Sequence, residues 1–250
     1  MKNRAFTLIE LLVVIAIIAM LAAFIFPVFV QAKGAVQTMG VGRAGKQLHT
    51  ATMLYQADSD DTFPLAMYSD GPVIQSWFGR QTNTYEYDST KGLISPYIKS
   101  KLSKDPTLTA EPWFGDDLGI GYNWGVIGSD MHERSDYSQF PNCSGAASSS
   151  SLENTSRSAL FVTSAFYNVS WRPNGTGTKH KFNFFDPPEF WNGVPNVDFR
   201  HRGTPKMDAD KQEVTSEGQA VFIFADGNTR NFPQSKIESD WFWRQSLNAQ

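Results

Sequence analysis

The sequence has one cysteine, Cys143, among 250 residues. A lone thiol cannot close an intramolecular disulfide, and it excludes zinc sites built on several cysteines. Histidines are also few: His49, His132, His180 and His201. No H-E-x-x-H, G-x-S-x-G or phosphate-cradling glycine loop occurs, so the sequence gives no reason to expect an enzyme. Excess positive charge is missing as well. The 22 basic residues face 25 acidic ones, a formal charge of −3, which argues against a nucleic-acid partner held by bulk charge. No internal repeat is visible. What is present is apolar: hydrophobic residues make up 41% and charged ones 19%, enough to build a core and too little charge for a disordered polyelectrolyte. The length favours one or two domains.

Charge is distributed unevenly. Lys2 and Arg4 open the chain, and no further basic residue follows until Lys33. Residues 11–30, LLVVIAIIAMLAAFIFPVFV, are twenty consecutive positions without a charged or hydrogen-bonding side chain. At ~1.5 Å per residue the run covers roughly 30 Å, the thickness of a bilayer's hydrocarbon core. Basic residues before the run predict a cytoplasmic N-terminus and a body on the far side of a single span. A cleavable secretory signal has a shorter apolar region closed by a small-residue site. Here Ala22-Ala23 leads into more apolar sequence, and no cysteine follows that could carry a lipid. Glu10 stands out immediately before the run, because a carboxylate at the edge of a membrane helix is costly unless neutralised, hydrated or paired. The simple reading of Glu10 is a hydrated interfacial side chain.

The stretch Lys2-Asn3-Arg4-Ala5 followed by Phe6-Thr7-Leu8-Ile9-Glu10 resembles the class III signal of type IV prepilins and type II secretion pseudopilins. The resemblance implies cleavage between Ala5 and Phe6 by a prepilin peptidase, with Ala5 where the family prefers glycine, and N-methylation of Phe6. It implies a structural, non-enzymatic subunit of a bacterial inner membrane, assembled with other pilin-like subunits and an assembly platform into a pseudopilus or pilus. The fold expected is α+β and pilin-like, a long N-terminal helical spine packed on an antiparallel β-sheet head with long loops. The division expected is a leader at 1–5, a transmembrane and assembly half of the helix at 6–33, an amphipathic half at 34–60 and a head at 61–250. After cleavage the new α-amino group of Phe6 is four residues from Glu10, and in a staggered stack Glu10 of one chain can meet the Phe6 amine of its neighbour. Pro27 removes one helical hydrogen bond and is expected to bend the helix rather than break it.

Beyond Lys33 the helical period continues. Val41, Ala44, Leu48, Ala51 and Tyr55 form an apolar stripe, with Lys33, Arg43, Lys46 and Gln47 mostly off it. Residues 6–57 would make a rod of about 78 Å. Gly34, Gly40, Gly42 and Gly45 each weaken a helix by ~1 kcal/mol against alanine, so a kink or fraying near 40–45 is expected. The β-prone runs are 73–78, 121–127, 159–169 and 219–225, and Asp226-Gly227 predicts a hairpin between 220–225 and 228–232. Residues 91–100 read as a short helix or turn around Pro96, and the segments 141–151 and 207–218 as exposed loops. Residues 55–64, 93–99 and 121–124, with His201 and Asp226-Gly227, resemble a large-headed pseudopilin-like group. That group's C-terminal marker is a histidine, a short spacer and Asp-Gly, and the match needs an insertion over 204–218.

Three minor chemistries are open to these residues. Asp58, Asp60 and Asp61 offer clustered oxygens for calcium, against the simpler reading of a solvated acidic turn ending the helix. His201 and Asp226 can meet across strands, more simply as a structural hydrogen bond than as catalysis. The aromatic segments 181–191 and 241–243 suit either a sugar-binding platform, and hence a membrane-anchored binding module, or core packing, which is the commoner use.

Overall fold

The structure is a computed structural model that describes residues 7–70, 72–82, 87–99, 105, 107–110, 118–129, 145–167, 179–185, 196–203, 206–208 and 213–242. Ala5, Phe6, His132, Cys143, Trp191 and Trp243 lie outside these residues.

One helix dominates the chain, α1 (Leu8–Asp58), 51 residues long. It runs uninterrupted through Pro27 and through the glycine-rich stretch, so the fraying expected at 40–45 is absent. The packing explains why. From Thr38 onward α1 buries Val41, Ala44, Leu48 and Ala51 against the head, while Arg43, Lys46 and Gln47 stay exposed. Gly45 lies on this buried face, and a Cβ there would come within 2.4 Å of Ile223 Cγ1. The glycine lets the helix backbone close on the sheet, and that contact offsets its low helix propensity. Leu48 is fully buried; truncating a leucine so placed costs about 2–5 kcal/mol.

The head begins with an antiparallel meander, β1 (Met67–Asp70), β2 (Val73–Ser76), β3 (Arg80–Thr82) and β4 (Tyr87–Asp88). A short 3-10 turn at Ser95–Tyr97 starts around Pro96 as its sequence predicts. Next come β5 (Ile120–Asn123), β6 (Ala159–Thr163), β7 (Ala165–Tyr167), β8 (Lys179–Lys181) and β9 (Phe184–Phe185). The chain closes with β10 (Lys206–Asp208), β11 (Glu213–Thr215), β12 (Gln219–Phe224) and β13 (Thr229–Pro233). The central sheet has the order β13-β12-β6-β5-β9. Its neighbours are antiparallel except β9, which joins β5 in parallel, so the sheet is mixed.

Alternation along β12 divides the core in two. Val221 and Ile223 join α1, Trp77, Tyr122 and Phe161 in one cluster. Ala220, Phe222 and Phe224 join Val162, Phe185, Val197, Phe199, Trp241 and Phe242 in the other. The helix thus covers one face of the sheet and the 196–199 and 241–242 segments cover the opposite face. This is an α+β, pilin-like architecture.

Two segments differ from expectation. Where 207–218 reads as a loop, β10 and β11 pair as an antiparallel hairpin from Lys206↔Thr215 to Asp208↔Glu213, with Met207 opposite Val214. Strands of three residues are too short for alternation to announce them in a sequence. In 141–151 the described part docks on the head: Ala147 is buried, Phe63 N–H bonds its carbonyl, and Ser148 bridges Thr62.

Candidate functional site

The N-terminal half of α1 has no cover from the head. Leu8, Ile15, Phe24, Phe29 and Val30 are more than half exposed, and the most apolar window of the helix has no buried residue. A contiguous apolar surface of this size on a soluble monomer would mark an interface or a membrane contact. Among the described residues, α1 is the one helix long and apolar enough to cross a bilayer. Its start is specified by a capping box. Thr7 Oγ1 accepts from Glu10 N–H at 3.3 Å, while Thr7 N–H and Thr7 Oγ1–H both donate to Glu10 Oε2, at 2.9 and 2.7 Å. Glu10 therefore closes the helix N-terminus of its own chain. Both bonds fall on one carboxylate oxygen, and Oε1 has no partner among the described residues.

Where α1 meets the head there is a second polar feature, one the sequence did not announce. Arg200 is fully sequestered, yet each of its nitrogens is engaged. Nε donates to Asp105 Oδ2 (2.9 Å) and Thr107 Oγ1 (3.1 Å), and Nη1 to Asp198 Oδ2 (2.7 Å) and the Ser164 carbonyl (3.2 Å). Nη2 reaches the Gly119 carbonyl (2.5 Å) and pairs with Asp105 Oδ2 (2.7 Å). Lys179 joins Asp198 at 2.5 Å. Burial alone would raise the Asp105 carboxyl; the His201 ring, the Arg200 guanidinium and the Thr107 hydroxyl together hold it well below the usual carboxylate range. Burial pulls the Lys179 ammonium below its ordinary value, against the Asp198 charge. The His201 ring bridges this cluster to the helix, with Nε2 3.3 Å from Asp105 Oδ2 and Nδ1 3.3 Å from Thr38 Oγ1. The cluster joins loop, sheet and helix, and its charges are saturated by one another.

A family model decides the reading of the helix. Residues 1–26 match the prokaryotic N-terminal methylation motif. The chain carries a prepilin-type signal. No curated protein and no solved structure matches the chain. The match spans Ala5, Phe6 and Glu10 and supports a pilin-like subunit processed by prepilin peptidase. Proteins bearing this signal are structural rather than enzymatic, and the signal with its apolar helix is consistent with membrane anchoring.

The other candidate residues are dispersed around this prepilin-type scaffold. Asp58 accepts from Tyr97 Oη at 2.8 Å, which raises the Tyr97 phenol, and Asp61 Oδ1 accepts from Ser149 Oγ at 2.7 Å. Asp60 and Asp61 adopt left-handed φ values of 48° and 61° in the turn that ends α1. Among the described residues no group of three or more His, Cys, Asp or Glu side chains is placed to hold a metal ion. The proposed pairing of His201 with Asp226 does not form. Asp226 instead caps its own turn, accepting from Asn228 N–H at 2.9 Å and Asn228 Nδ2 at 2.6 Å, while His201 is taken by Thr38 and Asp105. The histidine near the Asp-Gly turn is His49, whose Nε2 lies 3.0 Å from the Ala225 carbonyl. Gly227, at φ 83°, completes a hairpin loop of Ala225–Asn228. Phe182, Phe184, Phe185, Trp241 and Phe242 are all buried, so these aromatics pack the core instead of forming a platform.

Proposed function

We propose that the protein is a structural subunit that is cut between Ala5 and Phe6, methylated on the Phe6 nitrogen and polymerised through the exposed half of α1 into a pseudopilus or pilus. The observation that carries this reading is an apolar half-helix left bare by its own head and preceded by a methylation motif. Before assembly that surface lies in the inner membrane, with the N-terminus cytoplasmic and the head outside. During assembly it exchanges lipid for the helices of neighbouring subunits, delivered by the peptidase and an inner-membrane platform. No helix-burying solvent term separates lipid from helix, so close packing and polar pairing set the register.

Glu10 supplies that pairing. The Phe6 ammonium of an adjacent subunit binds the free Oε1 while Oε2 keeps the Thr7 cap. Each partner left alone at the membrane boundary is penalised, which makes the pair selective for one stagger. Glu10→Gln retains an oxygen for the cap and loses the charge, whereas Thr7→Val removes the cap hydroxyl and keeps the charge. Assembly scored by electron microscopy, without native subunits present, is expected to fail in Glu10→Gln and to persist in Thr7→Val. Normal filaments from Glu10→Gln would contradict the pairing.

A further inference from the structure

A groove of about 770 Å³ lies between α1 and the head, lined by Val28, Val30, Gln31, Ala32, Gly34, Ala35 and Arg202. Its position on the helix is informative. The apolar run ends at Val30, so the lining stretch straddles the end of the membrane-spanning length. That stretch rises roughly 10 Å, comparable with the ~5–8 Å polar layer on each side of the hydrocarbon core. Val30 and Gly34 continue the row of Thr38 toward the membrane side of α1 and form the helix wall nearest the head, where Arg202 lines the groove.

Arg202 is held there by its surroundings. Its φ is 60°, a left-handed conformation uncommon for a residue with a side chain. On one side His201 exchanges both backbone hydrogen bonds with Gln219, at 3.0 and 2.7 Å. On the other, a Cβ at Gly203 would come within 2.4 Å of Gly218 Cα, so the two backbones lie in contact. The His201 ring ties the same turn to Thr38 of the helix. Unlike Arg200, Arg202 is exposed and meets no carboxylate among the described residues. Lys33, exposed in the same turn of α1 as Ala32, adds positive charge at this level.

We propose that this groove binds the phosphodiester headgroup of a membrane phospholipid, with Arg202 on the phosphate and an acyl chain along Val30. A guanidinium presents paired donors that suit phosphate oxygens, and a cation at an anionic membrane surface is favoured further. The bound lipid seats the head against the bilayer and must be released when the helix enters a filament. The inference rests on the reading that residues 11–30 lie in a membrane.

The test uses full-length protein in non-ionic detergent, titrated with phosphatidylglycerol or diacylglycerol and followed by native mass spectrometry. Wild type is expected to retain phosphatidylglycerol in preference to diacylglycerol. Arg202→Gln is expected to lower that retention about five- to tenfold. Gln31→Glu, an exposed helix position that leaves the head intact, sets a carboxylate against the phosphate and is expected to lower it as well. Equal retention by all three proteins, equal binding of diacylglycerol, or displacement by an equal concentration of inorganic phosphate would overturn the site. Alkaline extraction of wild-type membranes separates the two readings: protein released by carbonate removes the membrane reading and the site together, whereas protein that stays embedded without phosphatidylglycerol preference removes the site alone.

Discussion

Arg200 shows how a single side chain can organise a fold without announcing itself. Of its two carboxylate partners, Asp198 is two residues away but Asp105 is 95 residues away in sequence, and the other acceptors come from Thr107, Ser164 and Gly119. No local period or spacing encodes such a contact, so the sequence pointed to His201 and Asp226 while the decisive residue stood beside His201. Removing a buried charge leaves its partners stranded in low dielectric. Arg200→Gln is expected to cost about 3–5 kcal/mol, read as a lower unfolding midpoint of the full chain in detergent. The same cluster gives a pH dependence. Asp105 ionises at lower pH folded than unfolded, so its contribution is complete at neutral pH, holds down to about pH 4 and is lost as acidity rises further. Wild type is expected to lose stability below about pH 4 more steeply than Asp105→Asn, measured by thermal melts across pH. Parallel curves would contradict a depressed Asp105.

At the scale of elements, α1 was legible because its signals are local. Val41, Ala44, Leu48 and Ala51 recur at helical spacing, and the structure buries all four. The β12–β13 hairpin was legible from Asp226-Gly227 between β-prone runs, although its loop extends over Ala225–Asn228. The β10–β11 hairpin was not, since Lys206–Asp208 and Glu213–Thr215 have one apolar residue each, Met207 and Val214, too few to show a period. Gly45 was misread for a related reason: propensity describes an isolated helix, and the residue's use lies in the sheet opposite. Gly45→Ala therefore has a sign opposite to propensity. Alanine would add up to ~1 kcal/mol to an isolated helix. Here the clash with Ile223 is expected to destabilise the protein by about 1–3 kcal/mol. Adding Ile223→Ala removes the clashing atoms, so the double mutant should show strong positive coupling in a double-mutant cycle. Additive effects would mean that the close approach is not what fixes glycine at this position.

The whole molecule is asymmetric. From Thr38 onward α1 is part of a folded head with cores on both faces of its central sheet. Before that point the same helix is a bare apolar shaft, ended by a capping box and preceded by a methylation motif. Among the described residues, the head buries the aromatics of its two core clusters and pairs every nitrogen of Arg200, and the extended exposed apolar surface lies on the shaft. In the proposed subunit the shaft serves membrane and filament and the head forms the outer surface of the assembly. Such a subunit requires that processing trim the leader and spare the shaft. Mass spectrometry of the native protein's N-terminal peptide tests this directly. The expected chain begins at Phe6 with one methyl group on its α-amino nitrogen; a chain that still begins at Met1, or starts beyond Val30, would contradict the proposed processing.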